Sequence, residues 1–111
     1  MWVSKEITES DRKNFNLKIG KVTQTSENEV CIEDDTEYRN LPIVCPYGFF
    51  SIPILGSNAV IAPISNDFLY FGTKAKNLYE LKSGEVGMYS HGGASIVLKN
   101  DGRVLINGNP Y

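Results

Sequence analysis

The chain of 111 residues holds one histidine, His91, two cysteines, Cys31 and Cys45, and one acidic run, Glu33-Asp34-Asp35-Thr36-Glu37. These are the residue types that ligate metals or transfer protons, so their spacing decides whether chemistry is available. A zinc site draws on three or four His, Cys or carboxylate ligands. His91 has no second histidine to join and sits against Gly92-Gly93, so it reads as a turn residue. The acidic run has enough charge for calcium, but it lacks the glycine and the distal glutamate of an EF-hand loop. It reads as a solvated loop. Cys31 alternates with Glu29 and Glu33, whereas Cys45 is in phase with Leu41 and Ile43. The two thiols are therefore expected on opposite faces, reduced and without a shared role.

The remaining candidates lead the same way. Gly84, Gly87, Gly92 and Gly93 fit neither the phosphate loop GxxxxGK[ST] nor a GxGxxG following a strand, and read as strand-end and turn glycines. Ser51 and Ser95 lack the context of a nucleophile elbow. No catalytic, cofactor-binding or metal residue is assigned, and the chain is read as a non-enzyme without a cofactor. A net charge of −2 and a pI near 5.3 leave no electrostatic footprint for nucleic acid, because the 11 basic residues are dispersed and only Lys74, Lys76 and Lys82 cluster. A hydrophobic content of 41% with 11% aromatics indicates an ordered fold. The apolar stretch Leu41–Pro63 is broken by Pro42, Pro46, Gly48, Pro53 and Gly56, so no transmembrane helix is expected. The N-terminus shows no basic-then-apolar signal pattern, and synthesis in the cytoplasm is the expectation.

What the sequence does specify is strands. From Gly84 to Asn107, three short strands are expected at Glu85–Ser90, Ala94–Lys99 and Arg103–Asn107, with turns at His91-Gly92-Gly93 and Asn100-Asp101-Gly102. Val86, Met88, Ala94, Ile96, Leu98, Val104 and Ile106 all fall at even positions, so one face is apolar if the turns keep register. A spacing of ten relates Val86, Ile96 and Ile106. Such a meander is too small to bury its own apolar face, which must meet the rest of the chain or other copies of itself.

Upstream, residues 1–14 read as an N-terminal arm or short helix carrying Trp2, Val3 and Ile7. Phe15, Leu17 and Ile19 alternate with polar residues, and Val22 continues after a bulge at Gly20. The turn Ser26-Glu27-Asn28 leads into Val30 and Ile32, giving a long hairpin. Leu41, Ile43 and Cys45 form a third strand. Asn58–Ile64 and Phe68–Gly72 follow as strands suited to burial on both faces. Five strands in residues 15–75, with no helix among them, fit an OB-fold-like five-stranded barrel, and residues 76–111 then hold a polar link and the C-terminal β-segment. OB barrels that bind single-stranded nucleic acid stack bases on aromatics. Tyr38, Tyr47, Phe49, Phe50, Tyr70, Phe71 and Tyr79 offer rings in quantity, and an OB-fold nucleic-acid binder is the alternative reading. The missing basic groups assign these rings to core and subunit contacts instead.

Leu41–Gly72, with Tyr47-Gly48-Phe49 leading into Ser51-Ile52-Pro53-Ile54-Leu55-Gly56 and two apolar strands around a polar turn, resembles the Mu-like baseplate assembly family of contractile-tailed bacteriophages. These are the central spike proteins at the base of the tail. Gly84–Ile106 is similar to the family's next block, with its Gly-Glu-Val start, a Tyr, a Gly-x-x-Ile core and an Asp-Gly turn. The resemblance runs from about Leu17 to Ile106. It implies a homotrimer in which three barrels form a collar and three C-terminal segments wind into an intertwined β-helix or prism. Val86, Met88, Ile96, Leu98, Val104 and Ile106 would then form the trimer interface. The implied partners are the baseplate hub and tail tube proteins and, during injection, the host envelope. The implied location is the tail baseplate of a virion or a phage-derived contractile injection particle. A trimeric tail adaptor that pierces nothing fits the same resemblance. Two departures are visible: Asn107–Tyr111 lacks the His-x-His iron motif of some family tips, and Ser65-Asn66-Asp67 lacks the arginine associated with that turn in relatives.

Overall fold

The computed structural model describes residues 16–111; the arm expected at residues 1–14, and Phe15, lie outside them. The described chain is all β, with nine strands and no helix, and it divides between Lys74 and Ala75 into two compact units. In the first unit β1 (Lys18–Thr25), β2 (Glu29–Glu33), β3 (Glu37–Pro42), β4 (Asn58–Ile64) and β5 (Asp67–Thr73) form an antiparallel sheet in the order β3-β2-β1-β4-β5. Strand β1 is long enough to serve two partners: Lys18–Lys21 pairs with β4 and Lys21–Thr25 with β2. Beyond Pro42 the chain crosses to β5, where Ile43 makes a parallel bridge to Tyr70 and the Val44 amide donates to the Tyr70 carbonyl at 2.9 Å.

Alternation explains the core. Val22, Val30, Ile32, Leu41, Ala59, Ile61 and Tyr70 are buried together, and Tyr38, Ile43 and Phe68 pack against them. The Tyr38 and Phe68 rings meet edge to face at 4.8 Å. The turns use the residues that bond their own backbone. The Ser26 hydroxyl accepts from the Glu29 amide at 3.2 Å, and Asp34 Oδ1 accepts from the Thr36 amide at 2.8 Å. The acidic run is thus the exposed turn of the β2–β3 hairpin, with Glu33 paired to Glu37.

Three expectations need correction, and bulges explain two of them. The bulge on β1 lies at Thr23 rather than Gly20, because Val22 pairs with Ile32 and Gln24 with Cys31. A second bulge, at Arg39-Asn40 with Asn40 at φ +56°, also faces Cys31. It sets Tyr38 and Leu41 toward the core although they are three residues apart, and it hides the start of β3 from a period-two reading. The third strand is therefore Glu37–Pro42 rather than Leu41–Cys45. Cys31, which faces both bulges, is buried near the side-chain oxygens of Gln24 and Asn40, at 3.8 and 3.9 Å. Finally, β4 and β5 are fully buried on one face alone. Val60 and Ala62 are half-buried and Phe71 is exposed on the other.

Gly20 serves a close approach instead of a bulge. A Cβ there would stand 2.7 Å from Ile32 Cγ2 and 2.8 Å from the Glu33 carbonyl oxygen. The second contact is backbone in a paired strand and cannot withdraw. Gly20→Ala is expected to cost about 1–3 kcal/mol, as overpacking does, read as a lower denaturant midpoint.

The second unit is an antiparallel meander of β6 (Val86–Tyr89), β7 (Ser95–Leu98), β8 (Val104–Ile106) and β9 (Asn109–Pro110), paired in that order. The fourth strand is additional to the three expected. Ile106 pairs with Asn109 around Asn107-Gly108, whose φ values of +52° and +83° suit the two-residue turn that Asn-Gly favours. Asn107 is thus a turn residue, and β8 ends at Ile106.

Candidate functional site

The six residues expected at a trimer interface share one face of the second sheet. Pairing sets Met88 beside Ile96 and Ile96 beside Ile106; Val86 stands beside Leu98 and Leu98 beside Val104. Two rows of three aliphatic side chains result. Val86 is 57% exposed, Met88 51%, Leu98 45%, Ile106 39% and Ile96 37%, while Val104 is half-buried. No even position from Gly84 to Ile106 carries a charge. An uncharged aliphatic patch spanning three strands is the kind of surface that marks a protein contact.

The face is bare because the segment ahead of the sheet folds over the other side. Val97, on the odd face, is buried. Leu81 reaches it across Gly87, where an added Cβ would meet Leu81 Cδ1 at 3.2 Å and Val97 Cγ2 at 3.7 Å. Residues 76–82, read as a polar link, are therefore a folded part of this unit. Asn77 and Leu81 hold the loop by a reciprocal pair: Asn77 Nδ2 donates to the Leu81 carbonyl at 2.9 Å, and the Leu81 amide donates to Asn77 Oδ1 at 2.8 Å.

Glu85 fastens this loop to the β7–β8 turn. Its side chain is 4% exposed and accepts from the Lys82 amide at 2.9 Å, the Asn100 amide at 3.1 Å and Lys99 Nζ at 3.2 Å. Asn100 Nδ2 in turn donates to the Ser83 carbonyl at 2.9 Å. The two backbone amides, ahead of the Lys99 ammonium and against burial, hold the Glu85 carboxyl down at about 2, from an ordinary 4.5. The unfolded chain therefore binds the extra proton as the pH falls below 4.5. Stability from Glu85 is complete above that pH and is lost on the way down to about 2. Glu85→Gln is expected to flatten this acid limb of the unfolding free energy measured from pH 5 to 2. The Asp101 part remains, since the Arg103 amide and guanidinium lower that carboxyl as well.

The residues first considered for chemistry do not converge. His91 is exposed in the β6–β7 turn. Ser95 is buried, with its amide donating to Asn107 Oδ1 and its carbonyl accepting from the Asn107 amide, both at 2.9 Å. Cys31 and Cys45 are free thiols. Among the described residues no three His, Cys, Asp or Glu side chains come together as a metal site. Leu78, Tyr79, Leu81 and Tyr89 line an open hollow of about 390 Å³, with Lys76 its one charged lining residue.

A second apolar surface lies in the first unit. The connection from Val44 to Leu55 contains no strand and leaves Tyr47 fully exposed and Phe49, Phe50 and Leu55 about 60% exposed. The roles of Glu85 and the asparagines were missed in the sequence, although Asn and Asp before glycine are a turn signal. Comparison of the chain with protein-family models, curated proteins and solved structures yields no match.

Proposed function

We propose that the chain is a structural component of a phage tail baseplate or of a related contractile injection particle: the central spike or spike collar, acting as a homotrimer. The observation that carries this reading is the uncharged aliphatic face of β6, β7 and β8, held in register and open to water. Three copies that turn this face inward bury it at a common axis. The free edges of β6 and β9 then pair with neighbouring copies to form the β-helix or prism. The first unit serves as the collar. Its strand order, with Ile43 bridging to Tyr70 from beyond β3, supports an OB-type barrel. The ordered resemblance of Leu41–Gly72 and Gly84–Ile106 to baseplate spikes supplies the biological setting, with hub and tube proteins above and the host envelope below. The work is mechanical, so the proposal calls for no catalytic group.

The test is location. In particles purified from cells that make the chain, an antibody to it is expected to label the base of the tail, at three copies per tail. Labelling along the tube, on the capsid or nowhere on the particle would overturn the assignment.

A further inference from the structure

We infer that the loop Val44–Leu55 of one copy covers the outer face of β1, β4 and β5 of the next, so that the first unit carries both halves of a ring contact. The inference rests on the trimer proposed above and adds where its collar closes. The need for a second contact follows from area. An aromatic side chain presents about 150–250 Å² and these aliphatic ones less, so the six residues of the sheet face, under half exposed on average, offer on the order of 400 Å². Each copy in a ring makes two contacts, and a stable contact takes about 800 Å² per partner. The sheet face therefore falls well short.

The loop is suited to supply the difference. Its exposed side chains offer on the order of 800 Å² by the same measure. No charged residue occurs from Leu41 to Asn66, so the loop has no ion pair with which to select a charged partner. Its shape is set in advance. The Phe49 amide donates to the Pro46 carbonyl at 3.0 Å, and the loop is tied to β1 by Gly56 N to Val22 O at 2.8 Å and Val22 N to Ser57 O at 3.0 Å. A preformed apolar surface loses little freedom on binding.

The receiving surface is the side of the sheet away from the core. Leu17, Ile19, Ile64 and Phe71 are exposed there, around the half-buried Val60 and Ala62. Ile19 pairs with Val60 across β1 and β4. Within one copy the loop does not cover this face, because both are exposed in the same chain. A three-fold ring requires two different complementary patches, whereas a two-fold dimer requires one patch that fits itself. This unit carries two, on different elements.

The experiment uses the full chain with a photoreactive benzoylphenylalanine in place of Phe49, mixed with isotope-labelled copies and irradiated. The expected product joins position 49 of one copy to residues 16–21, 58–64 or 67–73 of another. Links within one copy, to residues 1–15, or only to residues 75–111 would overturn the inference. Sedimentation of the unmodified chain is run alongside. A trimer with links elsewhere overturns the loop contact alone, and a monomer overturns the trimer as well. Phe49→Ser and Phe71→Ser are each expected to weaken association at least about tenfold while preserving the monomer's circular dichroism. Unchanged association in both variants would also overturn it.

Discussion

Ile96→Asp is expected to give a folded chain that no longer associates. Ile96 lies in the middle of its row, between Met88 and Ile106, on the strand flanked by β6 and β8. In a single copy it is 37% exposed, so an aspartate there reaches water and the sheet survives. In the assembled trimer three such carboxylates would meet near one axis. An unpaired buried charge costs about 3–5 kcal/mol, enough for one copy alone to weaken association by more than about a hundredfold. The readout is sedimentation at micromolar concentration, with circular dichroism to verify the fold. Wild-type association in this variant would refute the axial placement. The neighbouring Val97→Asp makes the contrast: Val97 is buried beneath Leu81 in every copy, so that change should unfold the unit before association is at issue.

The second large effect lies in the first unit. Ile61→Ala is expected to cost about 2–5 kcal/mol, since Ile61 is fully buried in the cluster that joins all five strands of the first unit. Against a total stability of about 5–15 kcal/mol, that is a large fraction. Val60→Ala removes two side-chain carbons where Ile61→Ala removes three, but Val60 is only half-buried, on the opposite face, and the change should cost under about 1 kcal/mol in a lone copy. Both belong in the Ile96→Asp background, where association does not add to the apparent stability. Equal shifts in the urea midpoint would contradict the assignment of one face of β4 to the core.

The strands were legible where apolar residues run on continuously, as in Asn58–Ile64, or alternate in step, as in the stretch from Val86 to Ile106. They were not legible where a bulge breaks the period. Arg39-Asn40 shifts Tyr38 and Leu41 into one face, and no count of two connects them. The burial of Cys31 was not legible for the same reason, since bulges on both neighbouring strands flank it. At the candidate site the even-numbered face could be read from side-chain parity alone. Its exposure could not, because that depends on Leu81 folding across Gly87 to cover the odd face. The clamp at Glu85 was hidden too. It joins residues 15 apart through backbone amides, which every sequence contains and no side-chain pattern reveals.

The face made by Val86, Met88, Ile96, Leu98, Val104 and Ile106 is proposed to close a trimer. Sedimentation equilibrium of the unmodified chain at micromolar concentration tests it most directly. The predicted mass is about 37 kDa, three times the 12.4 kDa of one chain, and it is unchanged by salt because the face carries no charge. A folded species of 12.4 kDa would mean that this face closes no trimer.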